Sequence, residues 1–202
     1  MTTENPPAFL KVITRSYEDV QVTSEGIDTD EFLKATVCMI DMFDLFGSSA
    51  FSVVQNDLRN NVTKIKARYQ ENPTEYHTLE LLMAKEAHLK RRVATEAVLW
   101  LKRGLDFTCQ SLLHSLNHPQ EELPASFSLA YDATLKPYHN FLVRPVFNLA
   151  MNACPWRKDF YHRIGVQTTE SEKRMQQWLF ALKHLLNQLD QQFQLHPEYT
   201  KH

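Results

Sequence analysis

The stretch NDLRNNVTKIKARY, from Asn56 to Tyr69, has the periodicity of an amphipathic helix. A helix turns about 100° per residue, so Asp57, Asn61 and Lys64 fall within about 60° of one another and form a polar stripe. The adjoining sector of the same helix is apolar and contains Val54, Leu58, Val62, Ile65 and Tyr69. The pattern predicts a helix whose inner face is apolar and whose polar stripe lies where core meets surface.

The polar stripe has two interpretations. A solvated ladder of side-chain pairs is the commoner one, and a cluster of hydrogen-bonding groups aimed at a polar ligand is the other. Two further residues bear on the choice, although Trp100 alone is typical of a core aromatic and His139 alone is typical of a satisfied boundary histidine. Together with the stripe they provide hydrogen-bonding groups for hydroxyls and a flat ring for a pyranose face, a set suited to a sugar.

Helical periodicity also dominates the rest of the chain. The chain has only four glycines in 202 residues, which disfavours folds with many tight turns, and no convincing strand is found. The predicted helices lie at about 8–18, 30–46, 52–70, 76–90, 93–117, 122–151 and 170–194. The breaks between them are short, and no linker, repeat or low-complexity tract divides the chain. Residues 1–202 are therefore predicted to form one all-helical domain of six to eight helices.

Two of the predicted helices are unusual. The segment 93–117 is apolar around most of its circumference, which predicts a central helix, and Gly104 would let a neighbour pack close. The segment 122–151 contains Pro137 and Pro145, so we expect it to kink or restart between them. His139 lies in that region.

Composition is that of an ordinary globular protein. Apolar residues make up 43% and charged residues 23%, which argues against disorder and against an integral membrane protein. A net charge of -2 gives no general attraction to nucleic acid. The three cysteines, Cys38, Cys109 and Cys154, are far apart and predict buried, reduced thiols. No targeting or membrane-spanning segment is found, so we expect a cytosolic protein.

Motifs for catalysis are absent despite nine histidines. The sequence contains no HExxH, no paired ExxH, no GxSxG and no phosphate-binding loop. DFYH, from Asp159 to His162, is a single DxxH and is more typical of a surface or capping role than of a metal half-site. These observations give no support for a metal site and disfavour an enzyme, although they leave a cysteine-histidine nucleophile open.

The motifs DxxxNxxK in NDLRNNVTKI, then WLKRGLDF, then LKPYHNFLV give a resemblance to a known family. They occur in the order and at roughly the spacing of the glycolipid transfer protein family, and the chain looks most like its fungal heterokaryon-incompatibility branch. The resemblance covers about 120 residues, from FDLFGSSAF to CPWRKDFY. It implies an all-α, single-domain two-layer helical sandwich of about eight helices that carries one sphingolipid and uses no cofactor.

The resemblance implies a function and an alternative. The implied function is non-enzymatic transfer of glycosphingolipids, glycosylceramides such as glucosylceramide or galactosylceramide, between membranes. The alternative is a glycosphingolipid sensor or interaction module that binds the same ligand without efficient transfer. An all-helical enzyme is a third hypothesis and would predict turnover of the lipid.

The resemblance also assigns roles by position. Asp57, Asn61 and Lys64 would hydrogen-bond the sugar, Trp100 would stack on it, and His139 would bond the ceramide amide oxygen. Asp57 would also accept the amide N–H. The hydrocarbon chains would occupy a pocket formed by Phe43, Phe46, Phe51, Val54, Phe107, Leu135, Phe147 and Phe160. Without the family, each of these pocket residues is typical of ordinary core.

A related branch of the implied fold carries ceramide 1-phosphate. Its residues are basic at the positions that match Asn61, Trp100 and Gly104, whereas an amide, an aromatic ring and a glycine suit a phosphate poorly. This difference favours a glycosyl headgroup. Lys64, Lys102 and Arg103 are nearby cations, so tolerance of a sulfated sugar stays open.

The family resemblance also implies that a second surface of the protein contacts membranes transiently. Phe141 and Trp156 match positions that meet the membrane, and Arg144, Arg157 and Lys158 flank them. An aromatic anchor with a few cations gives weak, reversible interfacial binding. The alternative for CPWRKDFY is a loop between helices with a packed tryptophan.

Overall fold

The computed structural model of the chain describes residues 8–47 and 49–200, and these residues are predominantly helical. The helices form the predicted all-α two-layer sandwich. Nine α-helical segments occur in the described residues: α1 Ala8–Val12, α2 Thr29–Met42, α3 Ser52–Glu71, α4 Leu79–Glu86, α5 Val93–Asn117, α6 Leu123–Thr134, α7 Arg144–Asn152, α8 Arg157–Arg163 and α9 Thr169–Leu195. Short 3-10 helices lie at Tyr17–Asp19, Phe43–Phe46, Ser49–Phe51, Lys136–Tyr138 and Pro197–Thr200.

Helix α5 occupies the centre of the fold, as its apolar circumference predicts. It packs against α3, α4, α6 and α9, and most of its side chains are buried. Gly104 faces α3 closely, because a Cβ atom there would lie 2.6 Å from Leu58 Cδ2. A larger residue at position 104 would require the Leu58 side chain to move.

The predicted break in the segment 122–151 is confirmed. Helix α6 ends at Thr134, Pro137 lies in the 3-10 helix Lys136–Tyr138, and Pro145 lies in the first turn of α7. Proline is tolerated in a first helical turn because the N–H it lacks would have no partner there. The break leaves His139 in extended backbone between two helical segments.

The expectation that the chain has no strand is wrong for residues 22–27. β1 (Val22–Thr23) and β2 (Gly26–Ile27) pair antiparallel, with Val22 opposite Ile27. Gly26 has a φ of +125°, which an L-residue with a side chain adopts only with strain. Two-residue strands are too short to give an alternating pattern, so sequence periodicity does not detect them.

The cysteines are all free, but only one is fully buried. Cys109 is buried, whereas Cys38 and Cys154 are half-buried, which corrects the expectation of three buried thiols. Burial raises the pKa of Cys109 and that of Cys154 to about 12. Both thiols are therefore protonated at neutral pH and are poor nucleophiles.

The N-terminus of α5 is held by Glu86, which is buried at the end of α4. Its carboxylate accepts hydrogen bonds from the N–H groups of Ala94 and Thr95, at 3.3 and 2.8 Å, and from the Thr95 hydroxyl at 2.9 Å. Arg68 Nε lies 3.6 Å from the same carboxylate. A negative charge at a helix N-terminus also stabilises the helix dipole.

We predict that Glu86→Ala lowers the free energy of unfolding by about 3 kcal/mol, because it leaves the buried donors of Ala94 and Thr95 without their acceptor and removes the charge next to Arg68. The measurement is urea unfolding followed by circular dichroism. Glu71→Ala is the matched control, since Glu71 forms an exposed ion pair with the same arginine and such pairs contribute at most about 1 kcal/mol. Equal losses in the two variants would contradict the capping role.

Candidate functional site

The polar stripe lies on α3 at the boundary predicted for it. Asn61 is buried, and its Nδ2 group donates a hydrogen bond of 2.9 Å to the Asp57 backbone oxygen. The Asp57 and Lys64 side chains reach the surface, and neither forms an ion pair with a residue in 8–47 or 49–200. The stripe is therefore not a ladder of paired side chains. Partial loss of hydration raises the pKa of the Asp57 carboxyl, and Lys64 opposes that change.

Trp100 lies on α5 next to the contact with α3. It precedes Gly104 by four residues, so both project from one face of α5, and Gly104 packs on Leu58, the neighbour of Asp57. The indole ring is half-buried, and the Arg103 guanidinium lies 4.9 Å from its centroid. The close helix contact thus places an aromatic face beside the polar stripe.

His139 joins this polar region to the apolar interior. Its ring is nearly parallel to that of Trp100, with centroids 6.1 Å apart, and its centroid lies 4.5 Å from that of Phe147. Its Nδ1 atom is 3.2 Å from the Tyr131 hydroxyl. Burial lowers the pKa of His139, and Arg144 and Arg103 lower it further. When Tyr131 donates to Nδ1, the neutral ring carries its proton on Nε2 and can donate to a carbonyl oxygen.

The predicted chain-pocket residues are all buried. Phe46 is central to them, with ring centroids 4.5 Å from both Phe51 and Phe160 and 5.1 Å from Phe43. Phe147 and Leu135 lie at the His139 end of this cluster, where the Leu135 carbonyl accepts the His139 backbone N–H. Because the rings are in contact, two hydrocarbon chains could enter only by displacing them.

Two members of this aromatic cluster were missed by the sequence reasoning. Phe127 lies 5.5 to 5.8 Å from Phe46, Phe51 and Phe107, and Tyr131 lies 6.3 Å from Phe107. Both belong to α6, where Leu123, Phe127 and Tyr131 are spaced by four residues. That spacing was the available signal, because it predicts an apolar stripe on one helix face.

A separate cavity of about 620 Å³ lies between α2 and α3. It is lined by residues that include Leu33, Val37, Val62 and Lys66. Lys66 lies about 170° from the centre of the polar stripe around the α3 axis, so this cavity opens on the opposite side of the helix. It shares no residue with the predicted headgroup or chain sites.

The predicted docking aromatics are exposed. Phe141 is 77% exposed and Trp156 is 70% exposed. Leu142, Val146 and Leu149, which the sequence reasoning missed, are also exposed and share one side of α7 and the turn before it. In the part of the chain that the structure describes, no helix has the length and hydrophobicity to cross a bilayer.

The predicted docking cations differ in what they contact. Lys158 is exposed, whereas Arg144 donates to the backbone oxygens of His139 and Lys136. Arg157 is half-buried, donates to the Ser115 backbone oxygen and lies over an aromatic ring. Both arginines therefore also connect helical segments.

Of the three charged residues that follow Trp100 on α5, two face away from it and one does not. Lys102 pairs with Asp190 of α9. Asp106 lies about 120° from Trp100 around the helix axis and accepts a hydrogen bond of 2.9 Å from Gln110. Arg103 is the exception, because it also lies 3.5 Å from the centroid of the Tyr138 ring.

Comparison with known proteins gives a consistent result. The family model described as glycolipid transfer protein matches residues 27–166. The chain is 39% identical over 187 residues to a glycolipid transfer protein of Aureobasidium melanogenum, covering 92% of this chain and 93% of that protein. It spans only 33% of the length of several longer mammalian relatives.

Solved structures agree with these matches. The crystal structure of HET-C2, a fungal glycolipid transfer protein, has a TM-score of 0.86 and 39% identity, covering 92% of this chain and 96% of that one. A structure of FAPP2, described as selecting simple glycosphingolipids with the same fold, has a TM-score of 0.84 and 29% identity. It covers 96% of this chain and 97% of its own.

Proposed function

The chain belongs to the glycolipid transfer protein family, and we propose that it transfers glycosphingolipids between membranes without changing them chemically. The ligand class is a ceramide with a simple sugar, such as glucosylceramide or galactosylceramide. The observation that carries the proposal is the position of His139, whose ring lies beside Trp100 on one side and Phe147 on the other. A glycosylceramide has the same sequence of parts: sugar, amide, then apolar chains.

The sugar is held by the polar stripe and Trp100. Asp57 accepts hydrogen bonds from sugar hydroxyls, Lys64 donates to them, and the buried Asn61 provides an amide at the floor of the site. Asn61 can turn toward a ligand because its present hydrogen bond is to a backbone oxygen of its own helix. Trp100 stacks on the apolar face of the pyranose.

The ceramide amide is recognised at the edge of the aromatic cluster. Nε2 of the neutral His139 ring donates to the amide oxygen, and Asp57 accepts the amide N–H. An amide group that entered the apolar interior without these partners would cost about 1–3 kcal/mol for each unpaired polar atom. The hydrocarbon chains then displace the rings around Phe46. The apolar contacts between rings are replaced by apolar contacts between rings and lipid chains.

A sugar headgroup is favoured over a phosphate by the residues around Trp100. A Cβ atom at position 104 would lie 2.6 Å from Leu58 Cδ2, so an arginine or lysine there would require Leu58 to move. Asn61 and Trp100 carry no positive charge, and Lys102 is already paired with Asp190. Arg103 is the remaining cation of α5 beside the indole, and it would be the contact for a sulfated sugar.

Docking at a membrane surface uses the exposed apolar side chains of α7 and the α8 start. Phe141 and Trp156 enter the interface, and Leu142, Val146 and Leu149 enlarge the apolar area. Lys158, with Arg144 and Arg157, contributes positive charge. This contact is weak and reversible, so the protein works in the cytosol and meets membranes transiently.

Residues 1–202 act as one domain, an assignment supported by one buried cluster that runs from Phe9 to Tyr199.

The proposal is tested by measuring transfer of fluorescent glucosylceramide and fluorescent ceramide 1-phosphate between vesicles. We expect glucosylceramide to move at least about tenfold faster, because an unpaired phosphate charge costs more than the 1.4 kcal/mol that a factor of ten requires. Lipid recovered after the assay is analysed for chemical change.

Each outcome separates two hypotheses. Tight binding of glucosylceramide without transfer would favour the sensor alternative over the carrier. Chemically altered lipid would indicate an enzyme. Faster movement of ceramide 1-phosphate would contradict the proposed headgroup.

A further inference from the structure

A cluster of metal-ligand residues lies at the C-terminal end of α5, outside the site described above. His114 and His118 are four residues apart, so they project from one face of the helix. Their rings are stacked, with centroids 3.9 Å apart and 12° between the planes. Glu121 follows in a turn closed by its N–H, which donates to the His118 carbonyl at 3.0 Å.

The potential ligand atoms converge. One ring nitrogen from each histidine and one carboxylate oxygen of Glu121 lie within 4.8 Å of one another. A tetrahedral Zn²⁺ ion holds its nitrogen and oxygen ligands about 2.0–2.2 Å from the metal, so the three atoms must move somewhat closer together. An imidazole binds a metal in the plane of its ring, so one of the two stacked rings must also turn. His118 and Glu121 are exposed and have room to rotate.

The protonation of the rings suits coordination. His118 Nδ1 lies 3.0 Å from the His114 backbone oxygen, and a carbonyl only accepts, so Nδ1 carries the proton and Nε2 keeps its lone pair. His114 Nδ1 lies 3.1 Å from the Ser126 hydroxyl and 3.8 Å from a Glu121 carboxylate oxygen. A second hydrogen bond that orients the imidazole is the usual accompaniment of a metal-binding histidine.

We propose that His114, His118 and Glu121 bind a divalent first-row transition-metal ion of the Zn²⁺ class. Two imidazoles and one carboxylate are a ligand set found for zinc, and they suit Zn²⁺ and Cu²⁺ better than the harder Mg²⁺ or Ca²⁺. The fourth position is open to water. His114 is 14 residues from Trp100 on the same helix, about 21 Å along its axis, so this site is independent of the proposed headgroup site.

A bound ion would stabilise the turn that joins α5 to α6. The residue after Glu121 is Glu122, whose carboxylate accepts the backbone N–H of Arg157 at 2.7 Å. The metal site therefore lies beside the contact that fixes the start of α8. An ion bound to the native state alone raises the melting temperature of the protein.

The test is competition for Zn²⁺ between a chromogenic chelator and the full chain, prepared without a histidine tag and treated to remove metals. We expect one Zn²⁺ per chain, and we expect His118→Ala and Glu121→Gln each to weaken binding by at least about tenfold, as loss of metal-site groups generally does. His184→Ala is the matched control, because His184 is an exposed helical histidine on α9, and its affinity should equal that of the wild type.

A melting-temperature measurement with and without Zn²⁺ accompanies the titration. Zn²⁺ should raise the melting temperature of the wild type and of His184→Ala, but not that of His118→Ala. Circular dichroism checks that each variant is folded before it is compared. The proposal is overturned by a wild type that binds no Zn²⁺, or by His118→Ala and Glu121→Gln variants that bind it as tightly as the wild type.

Discussion

Replacing Asp57 with Asn is expected to slow glucosylceramide transfer by about 10- to 100-fold, because hydrogen bonds to a charged acceptor contribute about 1.5–3 kcal/mol. The carboxylate has two proposed roles, as acceptor of sugar hydroxyls and of the ceramide amide N–H. Asn has nearly the same shape, so the change removes the charge without creating a cavity. The measurement is the initial rate of transfer between vesicles, together with equilibrium binding of a short-chain glucosylceramide.

The matched control for this prediction is Asp106→Asn. Asp106 is a half-buried carboxylate on α5 that bonds Gln110 and faces away from Trp100, so we expect its loss to leave transfer unchanged. If Asp57→Asn transferred glucosylceramide at the wild-type rate, the polar stripe would not be the headgroup site. Equal losses in both variants would indicate a general effect of removing a carboxylate.

Features that depend on one helix were predictable from the sequence. The polar stripe follows from the spacing of Asp57, Asn61 and Lys64, and the restart before α7 follows from Pro137 and Pro145. Each depends only on local geometry and on known limits of the backbone. The two-residue strands at Val22 and Gly26 were not predictable, because they span a single period of alternation and so show no repeat.

Contacts between helices could not be predicted from sequence periodicity alone. The approach of His139 to Trp100 depends on how the α6–α7 break folds back over α5, so the residues alone could not place the two rings together. The family resemblance supplied that expectation. The contact of Tyr131 with His139 was not predicted, because the spacing of Tyr131 indicates only that it belongs to an apolar helix face.

Which side chains of α7 are buried could not be predicted from the sequence. Phe147 is buried while Val146 and Leu149 are exposed, although all three are large and apolar. Hydrophobicity scales therefore could not separate buried from exposed residues in this helix. The same is true of Arg157. Its charge predicts a solvent-exposed side chain, but its guanidinium donates hydrogen bonds to the Ser115 backbone oxygen near the end of α5.

Trp156→Ala is expected to weaken partitioning onto phosphatidylcholine vesicles by about 10- to 100-fold, because burying a large apolar side chain contributes about 1.5–3 kcal/mol. The indole is 70% exposed at the start of α8, so its removal leaves the core intact. Co-sedimentation with vesicles measures the change directly. Transfer should slow in parallel, because lipid is taken up only from the docked state.

Phe180→Ala is the matched control, since Phe180 is an aromatic residue of α9 that is 51% exposed and is not among the proposed docking residues. Its replacement removes a similar apolar area elsewhere, so partitioning should not change. Unchanged partitioning of Trp156→Ala would rule out this residue as an anchor and would favour CPWRKDFY as a connecting loop. If Trp156→Ala lost transfer but kept partitioning, its role would lie in moving the lipid after docking. The pair of variants thus separates a general effect of exposed hydrophobic area from a specific role of Trp156.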